Sequence, residues 1–246
     1  MFDSIEEAIK AFRKGTPVLI YDRADRENEI DIVVHSSYVD VDTIFELRTI
    51  GGGLICVAIP MYAARAMKLK FFREYVASSP ELRDLTSKRL RYGDEPAFSI
   101  WVNHRDVATG IKDFDRALTI RRLWELVRLA YEGRTFEARV RFYEEFVAPG
   151  HVPILIGRDI ELRQGHTELS LALSALSGMI PCTTIVEMLS RGSSASLKEA
   201  RRIADELGYP LISSEQIVYG VRTHEDMYRR YNLRESRHGI HSGGGT

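Results

Sequence analysis

Apolar residues along this chain recur either every three to four positions or in short unbroken blocks, the patterns of amphipathic helices and buried strands. Ser4 followed by Glu7 has capping-box spacing for a first helix, with Ile5, Ala8, Ile9 and Phe12 on one face and a stop near Gly15. PVLIY (17–21) and IDIVVHS (30–36) read as strands, a helix follows Asp40, and LICVAIP (54–60) is a strand after Gly51-Gly52-Gly53. The charged stretch 61–96 reads as helical pieces and loops. FSIWVNH (98–104), HVPILIG (151–157), CTTIVEML (182–189) and PLIS (210–213) are further strands. DRALTIRRLWELVRLAYEG (115–133) begins as a turn and becomes a helix. TELSLALSALSGM (167–179) is apolar nearly all round and predicts a buried helix, and SLKEARRIADELG (196–208) a helix stopped by Gly208. A final polar helix runs into the tail. The mixture predicts a mixed α/β or α+β class, and without repeat or linker the expectation is one domain over residues 1–232. Residues 233–246, polar and ending in three glycines, read as a frayed, dispensable tail. His238 and His241 within it have the spacing of a metal pair, but such a tail offers nothing to orient them.

A chain of 246 residues buries enough surface to fold without staples. Its 34 basic and 35 acidic residues give a net charge of −1, which excludes a basic nucleic-acid surface over the whole molecule. The two cysteines, Cys56 and Cys182, rule out a disulfide framework and a four-cysteine zinc site; both sit in apolar runs as buried thiols. No apolar run approaches the length that spans a bilayer, and MFDSIEEAIK is an acidic amphipathic helix rather than a signal peptide. The expectation is a cytoplasmic protein with neither a nucleic-acid nor a membrane partner.

Candidate chemistry lies in the loops. Between the first two strands, Asp22 to Asp31 holds five carboxylates in ten residues, with no glycine for a tight hairpin. Like charges so crowded repel unless a cation or polar ligand sits among them, and carboxylate oxygens suit a hard ion such as Mg²⁺. A solvated charged turn is the plain alternative. Arg163-Gln164-Gly165-His166-Thr167-Glu168 enters the apolar helix, where helix-start N–H groups, the Arg163 fork and the Thr167 hydroxyl would attract an anion. Glu187 lies in an apolar strand and needs a partner, a ligand or a proton, which makes it either an acid/base group or half of a structural ion pair. His151 opens a strand, and Ala108 to Arg116 is a polar loop that could bind an anion or simply turn. Lys112 is the one lysine in these loops, so metal-assisted enolisation is preferred over a Schiff base.

DRADRENEID (22–31), GGGLICVAI (51–59), ATGIKDFDRALTI (108–120), APGHVPIL (148–155), RQGHTELSLALSALSG (163–178) and IVEM (185–188) together resemble 3,4-dihydroxy-2-butanone 4-phosphate synthase, in that family's order and over most of residues 1–213. The resemblance implies an α+β fold, a mixed β-sheet flanked by helices in three α/β/α layers, and conversion of D-ribulose 5-phosphate to 3,4-dihydroxy-2-butanone 4-phosphate and formate in riboflavin biosynthesis. It implies Mg²⁺, with Mn²⁺ also suited, on Glu27 and His166; catalysis by His151 and Glu187; and substrate binding by Arg26, Glu27, Asp31, Thr109, Arg163, Gln164, Gly165, His166 and Thr167. It also implies a homodimer with active sites at the subunit interface; because His151 and Thr109 lie on a strand and a loop apart from the other candidates, the expectation is that those two of one chain complete the pocket of the other. Pro153 stands where the family often has an aromatic residue, and Gln164 replaces a common glycine. With two cysteines and no room for a fused GTP cyclohydrolase II domain, a monofunctional form is expected. Rival readings are a YrdC-like nucleotide- and RNA-binding protein, which would want a basic concave face, and a non-catalytic sugar-phosphate sensor, against which both acid/base candidates speak.

Overall fold

The computed structural model describes residues 2–89 and 93–232; the expected tail with His238 and His241 lies outside the described residues. The chain enters α1 (Ile5–Phe12) through Ser4, whose hydroxyl accepts the Glu7 N–H while the Glu7 carboxylate accepts the Ser4 N–H. Two donors that the first turn leaves open are thereby satisfied. β1 (Val18–Tyr21) and β2 (Ile30–His35) pair antiparallel, with Tyr21 opposite Ile30, so the acidic loop lies at their shared end. Asp40 caps α2 (Val41–Glu46), and β3 (Cys56–Pro60) runs directly into α3 (Met61–Ala66), followed by α4 (Phe72–Ala77). β4 (Phe98–His104) leads to the helices α5 (Asp113–Tyr131) and α6 (Thr135–Glu145) and then to the long β5 (Phe146–Gly157). Next come α7 (His166–Leu176), β6 (Thr183–Glu187) and a small hairpin of β7 (Leu189–Ser190) and β8 (Ser193–Ser194). α8 (Leu197–Leu207), β9 (Leu211–Ser213), α9 (Ser214–Thr223) and α10 (Glu225–Asn232) complete the described chain.

Seven strands form one mixed sheet in the order β4-β5-β3-β6-β2-β1-β9, parallel at β3–β5 and β1–β9 and antiparallel elsewhere. Side chains alternate between its faces. Ile32, Val57 and Ile154 pack with Leu123 and Leu126 of α5, while Val33, Ala58 and Leu155 pack with Leu171 and Leu173 of α7. Two apolar layers around a central sheet give the three-layer α+β architecture that the resemblance implies. Every residue of α7 is buried, so His166, Thr167 and Glu168 are carried inside by an otherwise apolar helix. Among the described residues no helix is long and apolar enough to cross a membrane.

Several elements differ from the pattern reading: the strand expected over 182–189 divides into β6 and the β7–β8 hairpin, and the single final helix is two, α9 and α10. The helix expected to begin with a turn at Asp115 is already helical at Asp113. α6 is not predicted from the pattern, because it buries only Ala138 and Phe142 and, apart from the half-buried Val140, its remaining residues are charged or exposed. His151 does not open its strand. β5 starts at Phe146, where His104 and Asn103 pair with Phe146 and Val147, and pairing resumes at Val102 with Val152. Residues 148–151 are therefore extruded as a bulge, and Gly150 lies so close to the Val102–Asn103 backbone that a Cβ would collide with it.

Candidate active site

The acidic loop is built around one buried carboxylate rather than solvated. Asp22, only 1% exposed, accepts the backbone N–H groups of Glu27 (3.0 Å) and Glu29 (2.9 Å) and the Arg26 guanidinium at 3.2 Å. Asn28 closes the loop at φ +56°, which asparagine tolerates, and its Oδ1 accepts from the Tyr21 hydroxyl. This fold presents Arg26 and Glu27 toward the start of α7.

That helix start is organised by Glu168, a residue sequence reasoning did not single out although its position three after Gly165 has capping-box spacing. Its buried carboxylate accepts the N–H groups of Arg158 (3.0 Å) and Gly165 (3.3 Å) and pairs with the Arg163 guanidinium. Gly165 is required by close approach: a Cβ there would strike the guanidinium groups of both Arg163 and Arg26. Two cationic forks thus converge at the N-terminus of an eleven-residue helix, the setting for an anion. Asp94 Oδ2 accepts from Arg26 Nε and Nη2 at 3.0 and 2.9 Å and lies 3.8 Å from Arg163 Nε. Burial works against the Arg26 charge, but Glu27 and Asp94 more than offset it and hold the guanidinium's pKa above its ordinary value. Gln164 turns its side chain to Arg23, accepting from Nη1 at 3.0 Å.

His166 joins the two segments. Its Nε2 lies 3.2 Å from the Ile20 carbonyl, which can only accept, so Nδ1 faces Asp31 at 3.4 Å and Glu27 at 3.6 Å. Burial disfavours its charge, yet Asp31, Glu27 and Asp22 outweigh burial and push the imidazole up to about 9. Burial drives Asp31 up to about 7, reinforced by Glu187, Glu27 and Glu29 and opposed by His166. Its Oδ1 has no hydrogen-bond partner among the described residues.

Donor atoms of Asp22, Glu27 and His166 lie within 4.8 Å of one another. Both Asp22 oxygens already accept loop N–H groups, so Glu27 and His166 are the better pair of ligands. A carbonyl fixing the far nitrogen of a ligating histidine is the usual way its ring is oriented. The negative field that favours a proton on Nδ1 would equally favour a divalent cation. These residues fit Mg²⁺.

Asp31 pairs directly with Glu187 across β2 and β6. Glu187 Oε2 accepts the Leu54 N–H at 3.1 Å and lies against Gly53, where any Cβ would collide with it. Arg26, Glu27, Asp31, Arg163, Gly165, His166, Thr167 and Glu187 therefore gather around the ends of β1, β2 and β6 and the start of α7. The expected residues His151 and Thr109 make a second group. His151 bonds through its N–H and ring to Asn103, and the Thr109 N–H and hydroxyl both go to the Asp115 carboxylate. None of these bonds reaches the first group. A cavity of about 360 Å³ between Thr49, Met188, Glu199 and Leu207 contains none of these residues, so charge rather than size marks the site.

The chain matches the family model for 3,4-dihydroxy-2-butanone 4-phosphate synthase over residues 6–219. It is 43% identical over 227 residues to the 3,4-dihydroxy-2-butanone 4-phosphate synthase of Archaeoglobus fulgidus, covering 89% of this chain and 94% of that protein. Identity to the enzyme of the same name from Methanosarcina mazei is 36%, over 88% of this chain and 90% of that one. Among solved structures, a synthase of this name in complex with two magnesium ions superposes with a TM-score of 0.72 at 24% identity, covering 91% of this chain and 99% of the other. A cation-free form gives 0.71, again at 24% identity, over 92% of this chain and 100% of the other. These two likenesses establish the shared fold.

Proposed function

The chain belongs to the 3,4-dihydroxy-2-butanone 4-phosphate synthase family, and from that premise we propose that it is the lyase of riboflavin biosynthesis that splits D-ribulose 5-phosphate into 3,4-dihydroxy-2-butanone 4-phosphate and formate. The observation that carries this reading is the meeting of the Glu27–His166–Asp31 cluster with two guanidinium groups over Gly165: a cation site beside a phosphate site. A sugar phosphate needs both.

Arg26, Arg163, the N–H groups at the start of α7 and the Thr167 hydroxyl bind the phosphate, which displaces Asp94 from the two arginines. Gln164, its side chain committed to Arg23, contributes through its backbone. Glu27 and His166 would hold Mg²⁺, for which Mn²⁺ can substitute; a solved synthase of this name is in complex with two magnesium ions. When bound, Mg²⁺ polarises a carbonyl and its neighbouring hydroxyl, so that a carbon-bound proton is more readily lost. Asp31 fixes the His166 ring and receives a substrate hydroxyl. Glu187, anchored at Oε2 by the Leu54 N–H, and His151 are the catalytic pair.

Because His151 and Thr109 bond locally and His151 is exposed, they suit completion of a partner's pocket. A homodimer with shared sites follows, each pocket holding Arg26, Glu27, His166 and Glu187 of one chain with His151 and Thr109 of the other. The catalytic unit is residues 1–232, acting in the cytoplasm. The test is formate release from ribulose 5-phosphate and Mg²⁺, abolished by EDTA and restored by added metal. Glu187→Gln and His151→Ala should each cut turnover by about 10²–10⁴-fold with the fold intact. Full activity in excess chelator would overturn the metal assignment, and near wild-type kcat in either variant the role given to that residue.

A further inference from the structure

His151 is held by one side chain, and that side chain dictates where its ring proton sits. Asn103, at the end of β4 and 8% exposed, reaches into the bulge of β5. Its Oδ1 lies 2.8 Å from the His151 backbone nitrogen. A backbone N–H can only donate, so the oxygen of the amide must face it. The other end of the amide, Nδ2, then stands 3.2 Å from His151 Nδ1. Nδ2 can only donate, so Nδ1 must accept and carry no proton. The single proton of the neutral ring is left on Nε2.

The amide cannot escape by turning over. Flipped, it would set Nδ2 against the His151 N–H and Oδ1 against a ring nitrogen, breaking the bond to a backbone donor. Nor does it have room to swing: Gly110, at φ +89°, lies so close that a Cβ there would collide with the amide. Gly110 is itself pinned by Asp115, whose carboxylate accepts the N–H groups of Thr109 and Gly110 at 3.1 and 2.9 Å.

We propose that Asn103 is a positioning residue that fixes His151 as the Nε2–H tautomer, so that the histidine serves as a neutral hydrogen-bond donor to a substrate oxygen. Nδ1 is thereby kept facing the amide as an acceptor, and Nε2 is left as the ring's donor. A neutral imidazole donor stabilises charge developing on an oxygen without itself having to lose a proton. Proton removal from carbon then falls to Glu187. This deepens the reading of His151 as a reacting group and rests on it.

The experiment is nitrogen NMR of the ¹⁵N-histidine-labelled protein at neutral pH, with the His151 signals assigned by their loss in His151→Gln. The expected result is an unprotonated Nδ1 and a protonated Nε2; a protonated Nδ1 overturns the proposal whether or not the protein releases formate. Asn103→Asp supplies the second arm. A carboxylate there still accepts the His151 N–H but also accepts a proton from Nδ1, so the ring signals should exchange roles. Turnover should fall about 10²-fold or more with KM for ribulose 5-phosphate little changed. Asn103→Asp that keeps wild-type kcat while the signals exchange would show that the tautomer does not matter, and would equally overturn the proposed role.

Discussion

Glu168→Ala tests how the helix start is held together. The carboxylate is buried between the N–H groups of Arg158 and Gly165 and the Arg163 guanidinium, and its removal strands all three. Removing one partner of a buried charge pair costs about 3–5 kcal/mol, and each stranded backbone donor about 1–3 kcal/mol. The terms do not add, because one carboxylate serves all three donors and water enters the space it leaves. Burial also raises the Glu168 pKa above its ordinary value, against Arg163 and the Arg158 N–H, so deleting the side chain removes a desolvation cost as well. The expected loss is therefore near the lower end, about 3 kcal/mol. In a chain of this size that corresponds to a fall of about 6–12 °C in Tm. Glu168→Gln keeps one acceptor and should lose roughly half as much. The assay pairs thermal unfolding with KM for ribulose 5-phosphate, which should rise in both variants because Arg163 and Gly165 lose their brace. A fall of less than about 3 °C for Glu168→Ala would refute the energetic reasoning. A large fall with KM unchanged would show that Glu168 braces the helix without shaping the phosphate site.

Burial pushes His35 down to about 4, against the opposing pull of the Ile180 carbonyl that its Nε2 faces at 2.8 Å. Between about 4 and the ordinary 6.5 the unfolded chain binds the extra proton, so stability should drop as pH falls through that window, by up to about 3 kcal/mol. Urea unfolding across the window checks this, and His35→Gln, which cannot titrate, should lose that part of the slope; an unchanged slope would assign it to other groups. Co-expression of Glu27→Ala with His151→Ala tests the shared site: random pairing gives mixed dimers with one intact pocket, returning roughly a quarter of full activity. Mixed dimers verified by mass spectrometry but inactive would place each site within one chain.

The strands and α7 were legible because burial on both sides leaves continuous apolar runs, and such runs survive in one dimension. α6 was not, since a helix that buries only Ala138 and Phe142 and satisfies its surface with pairs such as Arg141–Glu145 carries almost no apolar period. Ala148-Pro149-Gly150 punctuates the chain like a loop, and only the pairing of Phe146 and Val147 with β4 makes a strand of what precedes it. The same limit governs the site. Arg26, Glu27, Arg163 and His166 announce themselves as charge in loops, whereas Asn103 lies near the end of an ordinary-looking strand and acquires its role from a bulge forty-odd residues away. Asp31 marks the boundary between the two cases. An aspartate among the buried positions of IDIVVH is a local anomaly, but its meaning depends on Glu187 lying directly across the sheet and His166 arriving on α7. Beyond burial, Glu187 so placed raises the proton affinity of Asp31, and the neighbouring imidazole opposes it. The chemistry of the centre is therefore a property of the sheet register, and a one-residue slip of β6 would put Glu187 on the opposite face and dissolve it.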